Sequence, residues 1–321
     1  MSVKSDKIII AAGAVLSGVV AVAAASYMLT KHIVSIGMDR KMPEKAKTKD
    51  FSKTKKSAEV EKIITESAQK LENAGLKEIN IKSSDGKRLC GHLYYSGDDK
   101  RIIIAMHGWR SSWANDFGAI SDFWHKSGSA VLYVEQRGQN NSEGEYMGFG
   151  MVERFDCLEW IKWVREHNEK ELPIYLAGIS MGAATVLMAS GSRPGDDVHG
   201  IIADCGFTSA EAVWKHVIRD NMHIPYRVRS RLINDLCKRK IEVGLESYTV
   251  PDAMKTNSTP ILFIHGTDDS FVPIEMTFKN YKACRAPKEL FIVPGAGHAL
   301  CYIEDKEGYE RAVSGFFEKY D

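Results

Sequence analysis

The most apolar stretch of the chain comes first. Ile8 to Leu29 contains no charged residue, and as a helix rising about 1.5 Å per residue it would reach roughly 33 Å, enough to cross the hydrocarbon core of a bilayer. Lys4 and Lys7 precede it. The pattern predicts a transmembrane anchor over 8–29. A cleaved signal segment is the rival, because Ala23-Ala24-Ala25 ahead of Ser26 suits a signal peptidase, although the apolar run exceeds the roughly 7–15 residues of such a core. Residues 30–56 then read as a basic linker, with Lys31, Arg40, Lys41, Lys45, Lys47, Lys49, Lys53, Lys55 and Lys56 against three acids. Such a flank suits anionic headgroups, and the positive-inside rule puts it in the cytoplasm. Lysines ahead of an apolar run equally begin an exported chain, so both sides of the membrane stay open. In 57–75, Val60, Ile63, Ile64, Ala68 and Leu71 recur at helical spacing and Gly75 stops the run, which predicts an amphipathic helix.

From Leu76 the period changes. Glu78–Lys82 and Leu89–Tyr95 flank Asp85-Gly86 as a hairpin would. Arg101–Met106, Ala130–Val134, Ile174–Ala177, Gly200–Ala203, Ile261–Ile264 and Leu290–Val293 are short apolar runs of the kind that parallel strands covered on both faces require. Helical periods lie between them, as in Val152–His167 with Phe155, Leu158, Ile161 and Val164. This alternation predicts an α/β domain over 76–321, a mostly parallel sheet with helices on both faces. Residues 207–258 exceed what the sheet needs. Two short amphipathic helices are expected there, one around Trp214, Val217 and Ile218 and one around Val228, Leu232 and Leu236.

Composition narrows the function classes. The 321 residues carry 43 Lys+Arg against 42 Asp+Glu, a net charge of +1, so no global field favours nucleic acid and no nucleic-acid partner is expected. The six cysteines form no C-x-x-C pair, which removes zinc-ribbon and thioredoxin-like readings and leaves them as small core residues.

In open α/β sheets the site lies at the carboxyl ends of the strands. After Ile174–Ala177 comes Gly178-Ile179-Ser180-Met181-Gly182, a G-x-S-x-G between a strand and a small-residue helix start. The glycines permit a tight turn that lifts the Ser180 hydroxyl above the sheet. A serine needs a base, and His298 ends Gly295-Ala296-Gly297-His298 just beyond the last strand. Between them Gly266-Thr267-Asp268-Asp269 follows Ile261–Ile264 and offers two acids; Asp204, ending the preceding strand, is a third. The order Ser…Asp…His is one in which such triads occur. His107 and His265 each end a strand before glycine, but without H-E-x-x-H spacing they read as structural, and no metal is expected. Gly295-x-Gly297 lacks the third glycine and the helix start of a dinucleotide loop.

These motifs resemble those of the α/β-hydrolase superfamily, most nearly its bacterial membrane-anchored or exported members related to prolyl-oligopeptidase-like and serine aminopeptidase-like hydrolases. The resemblance covers about residues 76–321. It implies Ser180 as nucleophile and selects Asp269 through the pattern G-x-x-D-x-x-V-P. It implies His298 as base and, through His107-Gly108-Trp109, an oxyanion hole from the amides of Trp109 and Met181. Glu135 and Asn140 depart from the Asp-x-Arg-Gly-x-Gly-x-Ser run of many relatives. The implied activity is a serine hydrolase acting on carboxylic esters without a cofactor, with peptide or acyl-peptide hydrolysis and a non-catalytic binding role as alternatives. The implied partners are a small-molecule ester or short peptide and, through the N-terminal segment, membrane lipid. The 207–258 insertion is expected to be a substrate-setting cap, and its excess of Lys and Arg to attract anionic substrates or headgroups unless it is simply a solvated helix face.

Overall fold

The computed structural model describes residues 2–46 and 56–321; of the expected basic linker, residues 47–55 lie outside the described residues. An eight-stranded sheet runs in the order β1-β2-β4-β3-β5-β6-β7-β8. Its strands are β1 (Lys77–Lys82), β2 (Arg88–Tyr94), β3 (Arg101–Met106), β4 (Ser129–Val134), β5 (Ile174–Ile179), β6 (Val198–Asp204), β7 (Ile261–Gly266) and β8 (Lys288–Val293). β1 and β2 form the expected hairpin, and β2 is antiparallel to β4. From β4 through β8 every pairing is parallel. Each of the six runs lies in a parallel strand, but Leu290–Val293 falls in the edge strand β8, where Leu290 is exposed and only Val293 is buried, because no strand covers its outer side. The interior strands β4 and β7 are buried at every position, as coverage on both faces demands.

The helices are α1 (Ser2–Met38), α2 (Ala58–Glu72), α3 (Trp113–Lys126), α4 (Glu153–His167), α5 (Met181–Ser190), α6 (Ala210–His216), α7 (Ser230–Ile241), α8 (Val250–Ala253), α9 (Glu275–Ala283), α10 (Cys301–Glu304) and α11 (Lys306–Tyr320). One face of the sheet packs against α4, α5 and the segments between β6 and β7; the other packs against α3 and α11. α2 lies across α3, where Gly118 admits it, since a Cβ there would sit 2.7 Å from the backbone nitrogen of Ala68. The buried side of α2 is Ala68 and Leu71, whereas Ile63, expected on that face, is exposed.

Two further differences matter for the site. α1 does not stop at Leu29 but continues to Met38, through the first part of the expected linker. Val20, Val22 and Met28 are exposed, whereas Thr30, Ile33, Val34, Ile36 and Met38 are buried against the α/β domain. The apolar pattern of those last residues is a docking pattern, masked in the sequence by the lysines around it. Between β6 and β7, α6 flows into a π-helical turn at Val217–Asn221, and α7 carries Leu236. Val228 precedes α7 and is 79% exposed, so it is not part of the packed face expected for it.

Candidate active site

β5 ends at Ile179 and α5 begins at Met181, leaving Ser180 as the single residue of the turn, at φ 55° and ψ −113°. A non-glycine residue at positive φ is strained. The turn is held by its neighbours: the Ser180 N–H donates to the Asp204 carbonyl at 2.8 Å. The two glycines of the motif are required by close approach. A Cβ on Gly182 would sit 1.8 Å from the Met106 carbonyl oxygen, and one on Gly178 would sit 2.4 Å from the backbone of Gly182.

His298 Nε2 lies 2.8 Å from Ser180 Oγ and His298 Nδ1 lies 2.7 Å from Asp269 Oδ2. Asp269 is itself fully engaged. Its Oδ1 accepts from the Phe271 and Val272 amides at 2.9 and 2.8 Å, and Oδ2 also faces His265 Nε2 at 3.1 Å. Burial raises the affinity of this carboxyl for a proton, but the charge of His298 and the donors of His265 and His298 outweigh it and hold the group well below the usual carboxylate range. For His298, burial opposes the charged form, and the adjacent Asp269 charge and hydrogen bond reverse this, raising its pKa above the ordinary histidine value. Asp268 is exposed and accepts from Thr267 Oγ1. Asp204 is buried, its Oδ1 without a hydrogen-bond partner, and burial pushes its pKa up to about 6. Of the three acids open in the sequence, Asp269 is therefore the one bonded to His298.

Trp109 follows Gly108, whose Cα side faces Ser180: a Cβ on Gly108 would meet Ser180 Cβ at 3.5 Å. The amides on either side of Trp109 are already used, Gly108 N–H by Asp116 Oδ2 and Arg110 N–H by Gln139 Oε1, both at 2.6 Å. The Met181 amide sits in the first turn of α5, where N–H groups have no intrahelical acceptor and favour negative charge. Asp116 and Gln139 are not singled out by the sequence: Asp116 lies in no motif, and Gln139 falls at an unspecified position of the run from Glu135 to Ser142. His107, read as structural, is fully buried; its Nδ1 donates to the Gly108 carbonyl and its Nε2 accepts from the Gln136 amide. His265 is equally structural in its bonds to Thr277 and Val272, yet it also braces Asp269.

Cys205, Asp269 and His298 offer atoms within 4.8 Å of one another. Asp269 and His298 are spent on each other and on Ser180, and burial drives the Cys205 thiol well above its ordinary pKa, so the set is a poor match to thiolate-based metal binding. All six cysteines are free and buried.

The comparisons with known proteins agree with this architecture. The family model described as serine aminopeptidase, S33 matches residues 97–240. The structure resembles that of the Pyrococcus furiosus esterase Pf2001, with a TM-score of 0.63 at 21% identity, over 76% of this chain and 91% of that one. The chain is 24% identical to protein YqkD of Bacillus subtilis (strain 168) over 238 residues, 74% of this chain and 78% of that protein. It is 29% identical to the membrane protein YNL320W of Saccharomyces cerevisiae over 201 residues, 61% of this chain and 63% of that one. The fold is that of the α/β hydrolases, and the family model reaches across residues 97–240 of it.

Proposed function

We propose that the chain is a membrane-anchored serine hydrolase that cleaves carboxylic esters, with Ser180 as nucleophile, His298 as general base and Asp269 as the orienting acid. The observation that carries this reading is the unbroken relay from Ser180 Oγ to His298 to Asp269, at 2.8 and 2.7 Å, on a strained strand-to-helix turn. Ser180 Oγ attacks the ester carbonyl while its proton passes to His298 Nε2. Asp269 fixes the tautomer and stabilises the imidazolium without taking the proton. The Trp109 and Met181 amides hold the oxyanion, where one lost donor costs about 3–4 kcal/mol. Collapse of the tetrahedral adduct breaks the acyl–oxygen bond, and His298 returns its proton to the leaving alkoxide. Water, deprotonated by the same base, then releases the acid and restores Ser180.

A peptidase reading has its own support in the family model that matches residues 97–240. An aminopeptidase must neutralise a substrate ammonium, and the apolar cleft beside Trp109 and Phe271 has no carboxylate among its lining residues; this favours an uncharged acyl group and hence the ester. For anchoring, the support is the N-terminal helix α1, Ser2–Met38, whose uncharged run Ile8–Leu29 is long enough to span a bilayer. The deciding experiment is labelling of the full chain in detergent with a fluorophosphonate probe, followed by rates on an ester and an amide of the same acyl group. Labelling lost in Ser180→Ala, with the ester turned over faster than the amide, is the expected result. Absence of labelling in the wild type, with folding checked by circular dichroism, would end the triad reading.

A further inference from the structure

The carboxyl end of α1 does more than join an anchor to a domain. Its last carbonyls, which a helix end leaves without partners, are taken by the residues that follow Gly108. Trp109 Nε1 donates to the Gly37 carbonyl at 2.8 Å, and the Arg110 guanidinium donates to Ile36 O at 2.7 Å and to Asp39 O at 2.6 Å. A cation at this end also complements the helix dipole. Beyond the helix, Asp39 pairs with Lys240 of α7 at 2.7 Å. Arg40 donates to the carbonyls of Asn140 and Ser142, both at 2.5 Å.

This docking closes a cleft. Ile33, Ile36 and Gly37 form one wall, and Trp109, Trp214 and Phe271 stand among the residues opposite, around a narrow cleft of about 50 Å³ that opens to solvent. The cleft adjoins the chemistry: Phe271 packs edge-on to the His298 ring at 5.0 Å, and Trp109 carries the proposed oxyanion amide. Gly37 is needed for the fit, since a Cβ there would lie 2.4 Å from the Trp214 indole. Every side chain of the lining is apolar or aromatic, a surface that suits an alkyl chain and offers nothing to a charged one.

We infer that Ile33, Ile36 and Gly37 of α1 are specificity-determining residues that complete an acyl-chain pocket, so that the anchor helix itself forms part of the substrate site. This deepens the ester-hydrolase reading above and rests on it. Ile36 stands seven residues beyond Leu29 in one continuous helix, about 10 Å along the axis, so an anchor over 8–29 holds the pocket at the bilayer surface. The substrate class is then an ester of a medium or long acyl chain that partitions into lipid. The wall lies after Ala25, and removal of the first residues as a signal segment would leave it in place.

The test uses the full chain reconstituted in phosphatidylcholine vesicles and a p-nitrophenyl ester series from acetate to dodecanoate. Ile36→Trp fills the cleft, and Ile33→Ala widens it. The wild type is expected to prefer the longer esters. Ile36→Trp should lower the ratio of dodecanoate to acetate kcat/KM at least about tenfold, the scale of a few methylenes lost from a pocket, and Ile33→Ala should move the optimum to longer chains. Acetate turnover with both profiles unchanged, or a wild type that cleaves acetate and rejects longer chains, overturns this inference and leaves the ester reading standing. A wild type that hydrolyses no ester of the series overturns both. Should Ile36→Trp not fold, the Ile33→Ala profile decides alone.

Discussion

Asp269 Oδ2 stands 2.7 Å from His298 Nδ1, while its other oxygen is occupied by two backbone amides. The carboxylate therefore cannot turn away from the imidazole without breaking bonds to the chain itself. The consequence is electrostatic. His298, the proposed base, can take a proton only when neutral, and Asp269 raises the pKa that must be exceeded. The rate should fall as pH drops through that value, so the acid limb of kcat/KM should lie above about 6.5. In Asp269→Asn the charge is gone and burial, which lowers the imidazole pKa, acts with less opposition. The limb should then move to lower pH while the plateau falls about 10⁴-fold. A pH–rate profile on a soluble ester checks both, and a limb that does not move would assign the orienting role elsewhere.

Asp116 pins the loop that carries Trp109, whose amide is the proposed oxyanion donor. Its Oδ2 takes the Gly108 amide and its Oδ1 takes the Ser111 hydroxyl, so the loop is pinned on one side of Trp109 as Gln139 pins it on the other. Asp116→Ala should lower kcat about tenfold or more, as misplacement of one oxyanion donor implies, with KM changed far less. Asp116→Asn should recover much of the loss, because its amide oxygen still accepts from Gly108. A fall in KM-dependent binding alone, with kcat preserved, would contradict a role in holding the oxyanion donor.

The strands and the Ser180 motif were legible because each is written locally. A short apolar run such as Ile102–Ile104, set between turn residues, reads as a covered strand, and G-x-S-x-G declares a turn whose glycines are demanded by contacts as short as 1.8 Å. Asp116 and Gln139 were not legible. Their function depends on two backbone amides that flank Trp109 only after the chain has folded. The end of α1 was hidden for a related reason. Ile33, Val34, Ile36 and Met38 follow a longer apolar run and precede a basic one, and their docking is specified by Trp109 and Arg110, some seventy residues away in the chain.

Arg137 offers a test of the loop beneath the site. Its guanidinium forms a two-pronged bond with Asp156, both residues being almost wholly buried. It also reaches Asp85. Asp156→Ala would leave a buried cation with only its half-exposed partner, and breaking such a pair from one side costs about 3–5 kcal/mol. At roughly 2–4 °C per kcal/mol for a chain of this size, thermal melting should drop by about 10 °C. Replacing the pair together, by Arg137→Met with Asp156→Leu, should cost much less. An equal loss in single and double variants would argue against a coupled pair.

Ser180 itself stores strain, and the sign of two substitutions can expose it. Alanine removes the hydroxyl but keeps Cβ at φ 55°, so Ser180→Ala retains the backbone cost, about 1–3 kcal/mol for a non-glycine residue in such a region. Glycine removes the cost, because without Cβ it enters positive φ freely. Against that gain stands the greater freedom of glycine in the unfolded chain, about 0.4–1 kcal/mol. The strain term is the larger, so Ser180→Gly should be more stable than Ser180→Ala by about 1 kcal/mol, although glycine is ordinarily the more disruptive choice at the start of a helix. Chemical denaturation of both variants, each lacking the proposed nucleophile hydroxyl, isolates the backbone term. A glycine variant less stable than the alanine one would mean that the turn at Ser180 is relaxed.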